Sequence, residues 1–238
     1  QSMLNKLGFT TDDYCCGSHL PYDIESNHNV IRSGEKPIPL HNNCSGKHAG
    51  MLALSKHLGV DPTDYINKNH PVQKAILDQI MGYANLEKLS TAIDGCSAPT
   101  PFLTLSIIAG MFQKLASGNY PELDRLYNAM SKHPYLIGGR ETFDTDFITA
   151  MKGRAVCKVG GEAIRGFGIR KEDGSVLGIV VKVLDGNLRA LGSAVMAFLN
   201  QMELLTDDEN ESLKHYREPV LKNHRKLEVG KISTSIDF

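Results

Sequence analysis

The sequence has no excess of either charge, no long apolar run and no recognisable leader. Lysine and arginine total 26 against 27 aspartates and glutamates, so no basic surface is expected to neutralise nucleic-acid phosphates or an anionic membrane. No window approaches the roughly 18 consecutive apolar residues of a membrane-spanning helix, and the N-terminal residues lack the charged and apolar regions of a signal peptide. We therefore expect a cytoplasmic protein that binds neither nucleic acid nor membrane.

Cysteines are also scarce. The five of them are odd in number and widely spaced, which argues against a disulfide framework; they are Cys15, Cys16, Cys44, Cys96 and Cys157. Reduced thiols are expected, and the ordinary role of any one of them is that of a small buried hydrophobe. The remaining composition, 41% hydrophobic and 22% charged, is typical of a globular protein.

Apolar periodicity predicts helices, then strands, then helices again. Helices are predicted over residues 46–58, 71–85, 102–116, 121–132 and 144–151, with an extended run over 90–93. An antiparallel meander is predicted over residues 155–159, 163–171 and 176–183, followed by a long helix after Gly186 and another before Tyr216. This is an α+β fold, with helices packed on an antiparallel sheet. We expect one domain over residues 1–238, in which residues 217–238 are a polar tail without an assigned fold.

Two polar segments each lead into a predicted helix. The first runs from His41 to His48, and a helix N-terminus there would favour a bound anion or a reactive thiol; the alternative is an ordinary cap made by Asn43 or Ser45. The second runs from Asp94 to Pro101, leaving a strand and entering a helix past two prolines. Its alternative is a simple connector, in which the cysteine is buried and the aspartate caps the next turn.

Together these segments offer Cys44 and Cys96 as two soft metal ligands, with the Lys47 amine one helical turn from Cys44. The spacing is not that of a CxxC motif, so the sequence rules alone support a metal site only weakly.

A third segment, Gly153 to Glu162, contains a candidate base. Strand alternation places Val156, Lys158 and Gly160 on one face, and a lysine turned toward a core or cleft loses its proton more easily. The alternative is that this face is exposed, as most lysines are. The single S-x-x-K match, Ser33 to Lys36, is followed by Pro37, so a helix cannot continue there and the match is attributed to chance.

In this order, the three segments resemble the rhizobial-type, or class 3, L-asparaginases of the asparaginase II family. The resemblance rests on Cys44-Ser45-Gly46-Lys47-His48, on Asp94-Gly95-Cys96 with Pro99-Thr100-Pro101, and on Cys157-Lys158 with Gly160. Weaker matches are Cys16-Gly17-Ser18-His19, His133-Pro134, Asp144-Thr145 and the run from Gly178 to Asn187.

The resemblance implies a zinc site made by Cys44, Lys47 and Cys96, and a substrate pocket shaped by Asp94 and His48. It implies that Lys158 is the base for a catalytic serine, that asparagine is the substrate, and that the chain is a homodimer with a fold similar to serine β-lactamases and glutaminases. The family's S-x-x-K pair and second active-site serine belong to an earlier segment. This chain begins at Gln1, inside a predicted helix, so we expect a missing N-terminal segment to carry them.

The predicted activity is hydrolysis of L-asparagine to L-aspartate and ammonia by serine/lysine acyl transfer. Two other functions stay open. One is a truncated, non-catalytic relative that binds zinc or senses amides. The other is a cysteine-nucleophile amidase that uses Cys44 or Cys96 with His48.

Overall fold

The computed structural model of the protein describes residues 1–236. These residues form two compact units, one over Gln1–Leu103 and a second that begins at Thr104. The single-domain assignment stays a prediction. Among the described residues the fold is mixed α+β, with ten α-helices and three small antiparallel sheets. None of the described helices is both long and apolar enough to cross a membrane.

The first unit is mainly helical. Its elements are α1 (Ser2–Leu7), α2 (Ile24–Ser33), α3 (Ser45–Leu58), α4 (Pro71–Ala84), β1 (Thr91–Ile93) and β2 (Pro99–Pro101). Helices α3 and α4 confirm the predicted boundaries to within a residue, because their stop signals are local. Gly59 and Asn85 end them in the left-handed conformation, with φ of 68° and 54°.

Helix α2 was missed by the sequence analysis. Its start signal is nevertheless present, since the Asp23 carboxylate accepts a hydrogen bond from the Ser26 N–H at 2.8 Å. The helix ends at Ser33, followed by Gly34 with φ of 71°. Ser33 and Lys36 therefore do not share a helix, in agreement with the attribution of their S-x-x-K spacing to chance.

The segment after Asp94 turns back as a hairpin before the chain enters the next helix past the two prolines, and the second strand of this hairpin was not predicted. Strand β2 pairs antiparallel with β1, Ile93 opposite Pro99, and the turn is closed by the Asp94 N–H, which donates to the Ala98 carbonyl at 2.9 Å. Prolines are tolerated here because a two-stranded ribbon has only edge strands.

The second unit contains a three-stranded sheet covered by helices. Its helices are α5 (Leu105–Ala116), α6 (Pro121–Lys132), α7 (Pro134–Gly138), α8 (Phe143–Ala150), α9 (Leu191–Gln201) and α10 (Asp207–Arg217). The strands of the sheet are β3 (Ala155–Gly160), β4 (Ile164–Arg170) and β5 (Val176–Lys182). They pair antiparallel in chain order, which confirms the predicted meander. Helix α5 begins three residues later than predicted, where Thr104 caps it.

Helix α5 lies closely against one face of this sheet. A Cβ atom at Gly166 would be 2.0 Å from the Phe112 ring, and one at Gly178 would be 1.8 Å from the Ala109 carbonyl oxygen. Glycine is required at these two positions because a side chain would displace the helix. The alternate residues of the strands, including Cys157, Phe167 and Ile169, face the core that α8 and α9 complete.

The C-terminal segment, to which the sequence analysis assigns no fold, contains a small sheet. Strands β6 (Val220–Lys222) and β7 (Glu228–Lys231) pair antiparallel. The buried Ser193 hydroxyl of α9 donates to the Arg217 carbonyl at 2.8 Å and lies 2.9 Å from the Thr234 hydroxyl. The segment is attached through long-range contacts that local periodicity does not reveal. The last two predicted residues of the tail, 237 and 238, lie outside the described residues.

Candidate metal centre and candidate base

The side chain of one buried asparagine positions the start of α3. The Asn42 side chain accepts a hydrogen bond from the Cys44 N–H at 2.8 Å and donates to the Cys16 carbonyl at 2.9 Å. Cys44 is the N-cap residue of α3 but makes no side-chain capping bond, and its thiol instead hydrogen bonds with Cys96. Sequence reasoning gave Asn42 no role, although an asparagine that bonds the backbone two residues further on, here at the helix N-cap, is a common turn signal.

The structure does not support the alternative interpretation, in which Asn43 or Ser45 caps the helix. The Ser45 hydroxyl donates to the Leu40 carbonyl at 3.3 Å, and the Asn43 side-chain oxygen lies 3.2 Å from Nε2 of His19. Neither side chain therefore caps α3 in the way that the alternative requires.

The two polar segments meet at a group of ligand atoms. One such atom from each of Cys44, Asp94 and Cys96 lies within 4.8 Å of the others, and the Lys47 Nζ lies 3.1 Å from Asp94 Oδ2. The Cys96 thiol donates to the same carboxylate oxygen at 3.4 Å. Two predicted ligands are thus adjacent, the predicted pocket residue Asp94 joins them, and Lys47 is paired with that carboxylate.

Charges in this group stabilise one another. Burial alone would lower the pKa of Lys47, but hydrogen bonds to Asp94 and Cys96 outweigh it and the pKa is raised. Burial likewise opposes ionisation of Asp94, yet the bonds from Lys47, Cys96 and the Gly95 N–H leave its pKa lowered. Burial raises the pKa of Cys44, with partial opposition from Lys47. A cation bound here would therefore displace thiol protons.

His48, predicted to shape the substrate pocket, is completely buried. Its Nδ1 lies 2.6 Å from the Tyr65 hydroxyl, whose oxygen also accepts from the Cys15 N–H at 3.0 Å. Its Nε2 has no hydrogen-bond partner among the described residues. Burial, with the nearby Lys47 ammonium, lowers the pKa of His48 to about 4. The ring is therefore neutral near pH 7.

Lys158 lies on the side of β3 that the sequence predicts. Val156, two residues away on the same face, is completely buried in a cluster with Ala116 and Tyr127. Lys158 itself is exposed, and its Nζ donates to the Val159 carbonyl at 2.8 Å. The burial expected for a base is therefore not provided by the described residues, and its catalytic role stays a prediction.

A buried acid next to this strand was noticed only as part of a weak motif. Asp144, 1% exposed, accepts from Arg165 Nε at 2.8 Å and from the Val159 N–H at 2.7 Å. The Cys157 thiol donates to it at 3.4 Å, and burial together with this carboxylate raises the pKa of that thiol well above its ordinary value. The available signal was an aspartate in the first turn of a predicted helix, a place where acids are common because they interact favourably with the helix dipole.

Comparison with known proteins agrees with the motif resemblance. No curated protein matches this sequence significantly. The family model described as L-asparaginase II matches residues 1–234, which is nearly the whole chain and includes both segments of the candidate metal centre as well as the strand of Lys158. The chain belongs to the L-asparaginase II family.

Proposed function

We propose that the protein is an amidohydrolase that converts L-asparagine to L-aspartate and ammonia. The observation that carries this proposal is the family match over residues 1–234, which includes the clustered Cys44, Asp94 and Cys96. The reaction proposed is acyl transfer. A serine hydroxyl attacks the side-chain amide carbonyl, ammonia leaves, and water releases aspartate from the resulting ester.

Lys158 is the proposed base in this reaction. Its neutral amine would accept the serine proton as the hydroxyl attacks, and the same group would return a proton to the departing nitrogen. Asp94 and His48 are the proposed pocket residues. The ionised Asp94 carboxylate suits the α-ammonium group of the substrate. The neutral His48 ring has one nitrogen, Nε2, without a partner among the described residues, but it is completely buried, so the substrate would reach it only if the surrounding side chains moved.

The donor set fits zinc, the metal implied by the family resemblance. Two thiols with a carboxylate are typical zinc ligands, and an amine is a less common one. Tetrahedral ligands about 2.0 to 2.3 Å from one ion are separated by roughly 3.3 to 3.8 Å, so the three atoms, which lie within 4.8 Å of one another, would move closer together on binding. Cys44 and Cys96 would hold the metal, with Lys47 as the third ligand. When bound, zinc would supply positive charge that orients the pocket or the substrate.

The same proposal includes two further properties of the family: an overall fold similar to serine β-lactamases and glutaminases, and a homodimer. The α+β composition and the antiparallel meander support the first. Sedimentation velocity tests the second directly.

The test of the function is ammonia and aspartate release from L-asparagine by a form that includes the earlier segment expected to carry the serines, with L-glutamine and D-asparagine as comparison substrates. Addition of hydroxylamine should divert the acyl intermediate to aspartyl hydroxamate, which only a covalent route produces. Ammonia without hydroxamate would overturn the acyl-transfer mechanism. Asparagine binding without any ammonia would overturn the enzymatic proposal and favour an amide-sensing protein.

A further inference from the structure

Asp144 contacts both residues that flank Lys158. Its Oδ1 atom accepts from the Cys157 thiol at 3.4 Å, and its Oδ2 atom accepts from the Val159 N–H at 2.7 Å. Side chains alternate along a strand, so these two neighbours face the core while Lys158 points to the opposite face. The carboxylate therefore bonds to the strand on the face opposite the candidate base, at the residues immediately before and after it.

The bond to Val159 has a specific structural reason. Strand β3 is at the edge of its sheet, and an N–H on the outer edge of such a strand has no neighbouring strand to receive it. Asp144 supplies that acceptor. The carbonyl of the same residue, Val159, accepts from Lys158 Nζ at 2.8 Å, so one peptide segment connects the carboxylate to the amine.

The other edge of the strand is held by β4. Lys158 pairs with Gly166, where the Phe112 ring of α5 occupies the space that a side chain would need. On the Asp144 side, the buried Arg165 guanidinium donates to Oδ1 at 2.8 Å and lies 4.2 Å above the Phe143 ring. The positive charge of Arg165 thus compensates the negative charge of Asp144, the residue that bonds to the strand.

We propose that Asp144 is a positioning residue for Lys158: its carboxylate, held by Arg165, fixes the Val159 backbone on one side of the lysine and the Cys157 side chain on the other, and so determines the position of the amine. This inference rests on the proposed function, because it assigns Asp144 a part in the same reaction. Positioning matters for a base, since displacement by about 1 Å costs on the order of a hundredfold in rate.

The test compares two matched truncations in the intact protein. Asp144→Ala removes the carboxylate behind Lys158. Glu209→Ala removes a comparable buried carboxylate, which accepts from Arg154 at 3.1 and 2.6 Å just before β3 begins. Both variants leave an arginine without its ion pair, but only the first releases the backbone beside the lysine. Thermal unfolding measures the structural cost of each.

We expect Asp144→Ala to lower kcat for asparagine about a hundredfold with little change in KM, at a temperature where both variants are folded, while Glu209→Ala keeps a kcat near wild type. If Asp144→Ala does not fold, Asp144→Leu with Arg165→Met replaces the pair by apolar side chains of similar size, a change that often preserves stability. The same loss of kcat is expected. Equal kcat values in the Asp144 variant and its control would overturn the proposal.

A second readout separates this inference from the proposed function. Lys158 is acetylated with acetic anhydride, and mass spectrometry measures its acetylation rate relative to that of Lys171. This rate depends on the surroundings of the Lys158 amine and can be measured without any catalytic turnover. We expect the Asp144 variant to change the relative rate at Lys158 and the Glu209 variant to leave it unchanged. Absence of ammonia release by the form that includes the serine segment would refute the function, whereas unchanged labelling in both variants would refute the positioning role.

Discussion

The Lys47 ammonium and the Asp94 carboxylate lie 3.1 Å apart. This ion pair connects the start of α3, which carries Cys44, with the turn of the β1–β2 hairpin, which carries Cys96. The hydrogen bond from Lys47 is one reason why the Asp94 pKa is lowered, and Asp94 in turn raises the pKa of Lys47. Lys47 would have to release both its proton and this partner to bind a metal. The carboxylate would then be free to meet a cationic group of the substrate.

Loss of one thiol should remove the metal. We expect the purified protein to contain close to one zinc ion per chain and Cys96→Ser to lose most of it, because a tetrahedral site with a missing thiolate binds zinc far more weakly. Cys15→Ser is the control, since Cys15 is outside the ligand group. Plasma mass spectrometry measures the content. Equal zinc in wild type and Cys96→Ser would contradict the assignment.

His48 should make the metal-free protein sensitive to mild acid. Its pKa is about 4 in the folded chain and about 6.5 when unfolded, so the folded state favours the neutral ring. This contribution is complete above pH 6.5 and is lost as the pH falls toward 4, by at most about 3 kcal/mol at 1.36 kcal/mol per pKa unit.

Urea unfolding across this range, in the presence of a chelator, measures the effect. His48→Phe keeps a ring in the buried site but cannot titrate, so its unfolding free energy should change less between pH 6.5 and 4. His57→Asn, at an exposed position of the same helix, should retain the wild-type slope. A wild-type slope in His48→Phe would show that another group causes the acid sensitivity.

Replacement of the candidate base should abolish most turnover and leave the fold intact. Lys158→Met keeps the approximate bulk of the side chain, and its exposure predicts little loss of stability. A positioned base contributes about 10² to 10⁴ in rate, so we expect at least a hundredfold lower kcat on that scale. Lys171→Met, at an exposed turn, should be active. Near wild-type turnover in Lys158→Met would show that Lys158 is only a surface charge.

The aromatic cluster of the second unit should carry much of its stability. Phe167 is completely buried and meets the Phe143 and Phe147 rings edge to face, at centroid distances of 6.4 and 5.2 Å. Phe167→Ala is expected to cost about 3 to 5 kcal/mol of unfolding free energy. Leu184→Ala, at a side chain 95% exposed, should change it by less than about 0.5 kcal/mol. Similar unfolding midpoints for the two variants would contradict this core.

Sequence by itself determined the elements whose signals are local. Helices α3 and α4 end where Gly59 and Asn85 adopt positive φ, and the meander follows from β-branched runs separated by a turn. These features depend on hydrogen bonds and side chains only a few residues apart, so periodicity and capping chemistry suffice to predict them. The family motifs likewise predicted Cys44 and Cys96 as ligands of one metal ion, although the sequence gives no distance between the two thiols.

Tertiary structure alone decided which distant groups meet. Pro99 pairs with Ile93 in a hairpin that the sequence does not predict, because prolines are uncommon in strands. Lys47 contacts Asp94 across two segments that no local sequence rule connects. The burial of Asp144 beside Val159 and Arg165 arises because α8 packs across the edge of the sheet. Such contacts form when apolar faces are buried together, and the polar groups carried with them must then find partners in the same place.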